Sequence, residues 1–143
     1  MVPLVVKNGR EERRIVVKFG KIVVYVEDAK ASLEFFEQAF GLKGTYHEQG
    51  FGEVETGGDT NIAFANHAVG QSHLPAKYQV GSPDKVAFEL SLVSDDVEGV
   101  FRRAVEAGAE ALQEPEKKPW GQISSFLRLP DGTIVDLASP VAY

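Results

Sequence analysis

One pattern occurs twice in this chain and limits what it can fold into. "KIVVYVEDAKASLEFFEQAFG" (residues 21–41) runs from a β-branched stretch through an acidic residue into an apolar helical stripe and a glycine. "FELSLVSDDVEGVFRRAVEAG" (residues 88–108) repeats that order. β-branched and aromatic side chains favour a strand, Asp28 offers a helix N-cap, and Gly41 closes the helix. Leu33, Phe36 and Phe40 fall at helical spacing in the first copy, and Val97, Val100, Phe101, Ala104 and Val105 in the second. Asp95 with Glu98 predicts a capping box at the second helix. Short strands are expected after each helix. In the first copy they fall within 44–65, punctuated by Gly50, Gly52 and Gly57-Gly58-Asp59; in the second they fall near 110–114, 122–129 and 133–138. The chain therefore reads as βαβββ twice, an α+β protein.

Around this repeat lie an N-terminal appendage and a connector. Residues 2–17 predict a β-hairpin turning at Asn8-Gly9, a dipeptide suited to a type I′ turn. Residues 66–84, with Gly70, Pro75, Gly81 and Pro83, lack periodicity and read as a linker or lid. The expected partition is a hairpin over 1–18, a first module over 19–68, a linker or lid over 69–83 and a second module over 84–143, all in one structural domain.

Composition narrows the function. The chain of 143 residues has a net charge of -6, which argues against nucleic-acid binding. Residues 7–18 carry five Lys or Arg with two Glu and read as a solvated hairpin face. No apolar run has the length to span a membrane, and the first thirty residues lack a signal-peptide layout. With no cysteine there are no disulfides, thiolate metal sites or cysteine nucleophiles, and a cytoplasmic location is expected.

The two halves, together with "KPWGQISSFLRLPDGTIVDLASP" (residues 118–140), resemble the vicinal oxygen chelate superfamily, which includes glyoxalase I, the bleomycin-resistance proteins and extradiol dioxygenases. The resemblance implies one curled mixed sheet around a cleft, with the helices outside, and a homodimer. It also implies where metal-using members keep His, Gln or Glu ligands: at the start of each module's first strand and in its last strand. Aligning the halves puts Lys21, Ala63, Glu89 and Asp136 at these places. A protonated lysine has no lone pair and alanine has no donor atom, so no metal ligand is assigned. Glu89 and Asp136 alone would hold a divalent cation only weakly.

Strand alternation turns Lys21, Val23 and Tyr25, then Glu89, Ser91 and Val93, then Ile134, Asp136 and Ala138, toward the cleft. The expectation is that Lys21 stands where a metal would, bridging Glu89 and Asp136. Pro119-Trp120-Gly121 resembles the "PWG" of bleomycin-resistance-like members, but Ile123-Ser124-Ser125 and Leu129 depart from their pattern. Trp120, Tyr25, Tyr46 and Ser91 are expected to line a ligand cleft. His47, His67 and His73 miss the ligand positions. His47 is expected to point away from the cleft, and Glu53 with Glu55 to form a solvated edge.

The leading expectation is a metal-independent protein that binds a planar or drug-like small molecule. The first alternative is a glyoxalase-like isomerase or lyase, with Glu89 or Asp136 as general base and Lys21, or a divalent metal held weakly by Glu89 and Asp136, stabilising an enolate. The second is a structural or interaction domain.

Overall fold

The computed structural model describes residues 4–7, 12–15, 19–74, 80–81 and 85–140. Strands β1 (Leu4–Lys7) and β2 (Glu12–Ile15) pair antiparallel, from Leu4↔Ile15 to Lys7↔Glu12. The expected turn at Asn8-Gly9 lies outside the described residues.

Next come β3 (Lys21–Val26), α1 (Ala29–Phe40), β4 (Gly44–His47), β5 (Phe51–Val54) and β6 (Asn61–Asn66). They form a sheet in the order β3-β6-β5-β4, with β3 and β6 parallel and the other pairs antiparallel. The second set is β7 (Leu90–Val93), α3 (Val97–Ala107), β8 (Glu110–Lys117), β9 (Ile123–Arg128) and β10 (Ile134–Ala138). Its order, β7-β10-β9-β8, repeats the first. The curled mixed sheet is thus built as two four-stranded sheets, each with its first strand at an edge.

Both helices begin at an aspartate cap and end at a glycine. Asp28 accepts from the Ala31 amide at 3.2 Å, and Gly41 (φ 69) closes α1 in a left-handed conformation that glycine adopts freely. At α3 the cap is Asp96, which accepts from the Gly99 amide at 3.0 Å. The capping box expected from Asp95 with Glu98 is not formed: the cap falls one residue later, which puts Gly99, without a side chain, at the third helical position. The connector holds a short helix, α2 (His67–His73), where sequence periodicity predicts none. Its seven residues include a glycine and carry too few apolar side chains to show a stripe.

The core lies between the sheets and the helices and draws on both modules. Phe36 and Phe64 are fully buried with ring centroids 5.1 Å apart, and Leu127, Val135 and Leu137 continue the cluster from the second sheet. Polar links from Ser32 and Arg103 also tie the modules. Ser32 Oγ donates to Asp131 Oδ2 at 2.7 Å, and Arg103 Nε donates to the Gln38 carbonyl, beside the C-terminus of α1, at 2.5 Å. Helices α1 and α3 pack on one face of their sheets, and α2 lies over the other face of the first. In β3, Val24 and Val26 are buried while Lys21, Val23 and Tyr25 are exposed.

Candidate functional site

Ladder register decides what shares the open face of the first sheet. Tyr25 pairs with Ala65, which pairs with Phe51; Val23 pairs with Ala63, which pairs with Glu53. A row of three strands therefore reads aromatic–alanine–aromatic at one level and Val–Ala–Glu at the next. Lys21 lies one further level along, opposite Asn61. From there its ammonium donates a hydrogen bond to Glu53 Oε1 across β6. The alanine at position 63 leaves the space through which a side chain on β3 reaches one on β5. The same ammonium sits 5.8 Å from the Phe51 ring centroid, and the His47 ring stacks on Phe51 at 5.9 Å and 28°.

This bridge corrects the expected one. Lys21 contacts Glu53, and among the described residues no ion pair joins it to Glu89 or Asp136. The reason is topological: Glu53 lies two strands away in the same sheet, whereas Glu89 and Asp136 belong to the second module. Nor is β5 a sheet edge, since β4 and β6 flank it. The Lys21 hydrogen bond holds the Glu53 carboxyl below its usual range. Partial desolvation opposes this, while the charges of Lys21 and His47 and a hydrogen bond from Asn61 add to it.

The other predicted residues divide. On the second sheet Asp136 is half-buried, lies opposite Ser91 in the β10–β7 ladder and accepts from Ser124 Oγ at 3.2 Å. Glu89 is exposed one residue before β7. It stands at the rim of a cavity of about 530 Å³ at the module seam, walled by Ile22, Ile62, Leu90, Leu92, Val100 and Leu137. Tyr46 does not join the open face. His47 pairs with Phe51 and shares its face, so the preceding residue turns the other way; Tyr46 Oη instead accepts from the Gly50 amide at 3.0 Å. His47 thus points toward the face it was expected to avoid. Trp120 is 66% exposed in the turn before β9, its indole N–H donating to Gln122 Oε1 at 2.9 Å.

A second cavity, of about 420 Å³, opens on the first sheet beneath α2. Val23, Tyr25, Phe51 and Ala65 form its floor and sides, and Val69 and Gly70 of α2 its far wall. Tyr25 alone among the sequence-derived ligand residues lines it. Phe51, Glu53, His47 and Gln49 were not singled out for the site. The alternation of Phe51 and Glu53 with Gly52 and Val54 was visible, but pairing with β3 through β6 was not.

Paired βαβββ sheets with α1 and α3 on one side define a glyoxalase-type α+β fold. The family model for the Glyoxalase/Bleomycin resistance protein/Dioxygenase superfamily matches residues 18–137, and the chain belongs to that family. Among solved structures it is similar to a glyoxalase/bleomycin resistance protein/dioxygenase family enzyme from Burkholderia phytofirmans PsJN, with 20% identity over 85% of this chain and 97% of that one (TM-score 0.76). A glyoxalase-related enzyme from Fulvimarina pelagi shares 18% identity over 86% of this chain and 88% of that one (TM-score 0.74). A protein of unknown function from Agrobacterium tumefaciens str. C58 shares 21% over 87% and 94% (TM-score 0.71). At these identities the likeness is one of fold. No curated protein matches the chain.

The register also supports the equivalence of these positions in the two modules. Ala63 lies opposite Val23, two residues past Lys21, and Asp136 lies opposite Ser91, two residues past Glu89. Lys21 is engaged by Glu53 and Ala63 has no donor atom. Among the described residues no group of three His, Cys, Asp or Glu is placed to hold an ion. This donor set does not fit a transition metal that needs three or four protein ligands.

Proposed function

We propose that the protein is a metal-independent small-molecule-binding protein of the glyoxalase/bleomycin-resistance type, taking a planar or drug-like ligand on its open sheet face. One observation carries the reading. At the place where metal-using relatives keep a ligand, this chain has an ammonium already neutralised by Glu53, next to an aromatic-walled cavity. Such a face offers apolar area and a few fixed polar groups, which is how small-molecule sites are commonly built. The reading includes a homodimer, a cytoplasmic location, and the division into a hairpin over 1–18, modules over 19–68 and 84–143, and a connecting lid. No helix among the described residues is long and apolar enough to cross a membrane.

Metal analysis of the purified protein, paired with a thermal-shift screen of planar aromatic compounds, tests it. A ligand at about a hundred times its Kd stabilises the native state by about 2.7 kcal/mol, which for a chain of this size raises Tm by roughly 5–10 °C. Such shifts, unchanged by EDTA, are expected. One tightly bound transition metal per chain would overturn the proposal.

A second reading rests on Asp136, half-buried between two hydroxyl-bearing strands. There Asp136 or Glu89 acts as general base, drawing a proton next to a carbonyl in an isomerase or lyase reaction. Solvent deuterium exchange into a carbonyl substrate, lost in Asp136→Asn, is its signature.

A further inference from the structure

We infer that the cavity beneath α2 is a slot for one aromatic ring that carries an amino group, read by Gln49 and Glu48 at its mouth. The inference rests on the small-molecule reading above and names the ligand class and the residues.

The slot follows from strand spacing. Tyr25 and Phe51 stand at the same level of the sheet on strands separated only by β6. Neighbouring strands lie about 4.7–4.9 Å apart, so the two side chains rise about 9.5 Å from each other. Aromatic rings stack in offset fashion at centroid separations from about 4.5 Å. The gap therefore admits one further ring with a neighbour on each side. Ala65 between them is too small to fill it, and Gly70 on the α2 wall presents no side chain. The equivalent level of the second sheet reads Val93, Ala138 and Ser124, which cannot sandwich a ring. Only the first module among the described residues has this arrangement.

The polar end of the slot is the β4–β5 turn. Glu48 and Gln49 line the cavity, both exposed, and neither side chain has a partner among the described residues. Gln49 holds φ 74, the one non-glycine residue at positive φ among those described. That conformation suits Gly or Asn and is unfavourable for glutamine, and such outliers cluster at ligand clamps. A carboxamide and a carboxylate side by side accept N–H donors at two points, and the carboxylate favours a cationic ring.

Three probes separate the possibilities: 9-aminoacridine, its amine-free parent acridine, and the anion anthracene-9-carboxylate. Fluorescence titration of the full chain is expected to show 9-aminoacridine binding about tenfold more tightly than acridine, the worth of one charge-assisted hydrogen bond, and the carboxylate more weakly still. Amide spectra should place the perturbations at Val23, Ala65 and Gly70. Gln49→Gly relieves the backbone strain, so its Tm should equal or exceed that of the parent while affinity for 9-aminoacridine falls several-fold. Glu48→Gln should lower that affinity and abolish the preference over acridine. Equal binding of all three probes, unchanged affinity in Gln49→Gly, or perturbations confined to the seam or the second sheet would overturn the inference and leave the broader reading standing. If none of the three binds and no other planar compound does, both fail.

Discussion

Gly52 tests how the helix side of the sheet holds the open face in place. A Cβ built at Gly52 falls 2.4 Å from Leu33 Cδ1 and 3.0 Å from the Thr45 carbonyl oxygen. Carbon pairs rest at about 3.5–4.0 Å, so Gly52→Ala requires Leu33 to retreat by about 1 Å or more. Leu33 is buried in α1 against the common core and the Thr45 carbonyl is fixed in the β4–β5 ladder, so neither yields freely. Overpacking of this kind costs about 1–3 kcal/mol, while replacing glycine within a strand returns about 0.5–1 kcal/mol of backbone entropy. The net expectation is a loss of about 1.5 kcal/mol. Leu33→Ala alone leaves a cavity and should cost about 2–5 kcal/mol. In the double variant the new methyl occupies part of that cavity, and the combined loss should fall short of additivity by about 1 kcal/mol or more. Urea midpoints at unchanged m-value measure all three variants. Additivity within about 0.5 kcal/mol, or a neutral Gly52→Ala, would show that the close approach of Leu33 to β5 does not constrain the sheet.

Glu53→Gln should lower stability at pH 7 by less than about 1 kcal/mol, because both partners keep substantial contact with water, their side chains being 42% and 25% exposed. The Glu53 pKa is depressed by folding. Its contribution is therefore complete above the unfolded carboxyl value near 4.3 and disappears as pH falls through the lower folded value. The gap between parent and variant should narrow as pH falls below the unfolded value, and a gap that stays constant through acid would refute the assignment. Ser32→Ala removes the donor to Asp131 at the buried end of a cross-module hydrogen bond and should cost about 1.5 kcal/mol. A double-mutant cycle with Asp131→Asn checks that the loss belongs to this pair, and full additivity would assign it elsewhere.

The architecture was legible because its signals are local and repeated. Asp28 and Gly41 bracket α1, and an acidic pair and Gly108 bracket α3, so the helices could be bounded without knowing what they pack on. The alternation of Lys21, Val23 and Tyr25 with Ile22, Val24 and Val26 gave the open face of β3. Strand order in space has no such local signal. A parallel partner arrives only after the helix and two intervening strands, so Glu53 ends up two strands from Lys21 although 32 residues separate them in sequence. The face of Tyr46 is not legible in the sequence, because Gly44–His47 is exposed throughout and offers no apolar alternation to set its phase. Gln49 carried no sequence signal, since its strain exists only in the folded turn.

The two modules keep one backbone and distribute charge over it differently. At equivalent ladder positions the first carries Lys21, Ala63 and Glu53, and the second Glu89, Asp136 and Phe126. The middle carboxylate of the second module has, in effect, moved one strand over in the first, to β5. That shift has two physical consequences. It leaves a small residue at position 63, so that an ammonium on β3 can cross β6 to reach it, and it converts a pair of like charges on one face into a neutral pair. The first face thereby carries its charge as a hydrogen-bonded pair beside apolar side chains. The second keeps Asp136 beside the Ser124 hydroxyl, which donates to it. The two faces share one strand order and register and differ in whether the carboxylate stands on β5 or on β10.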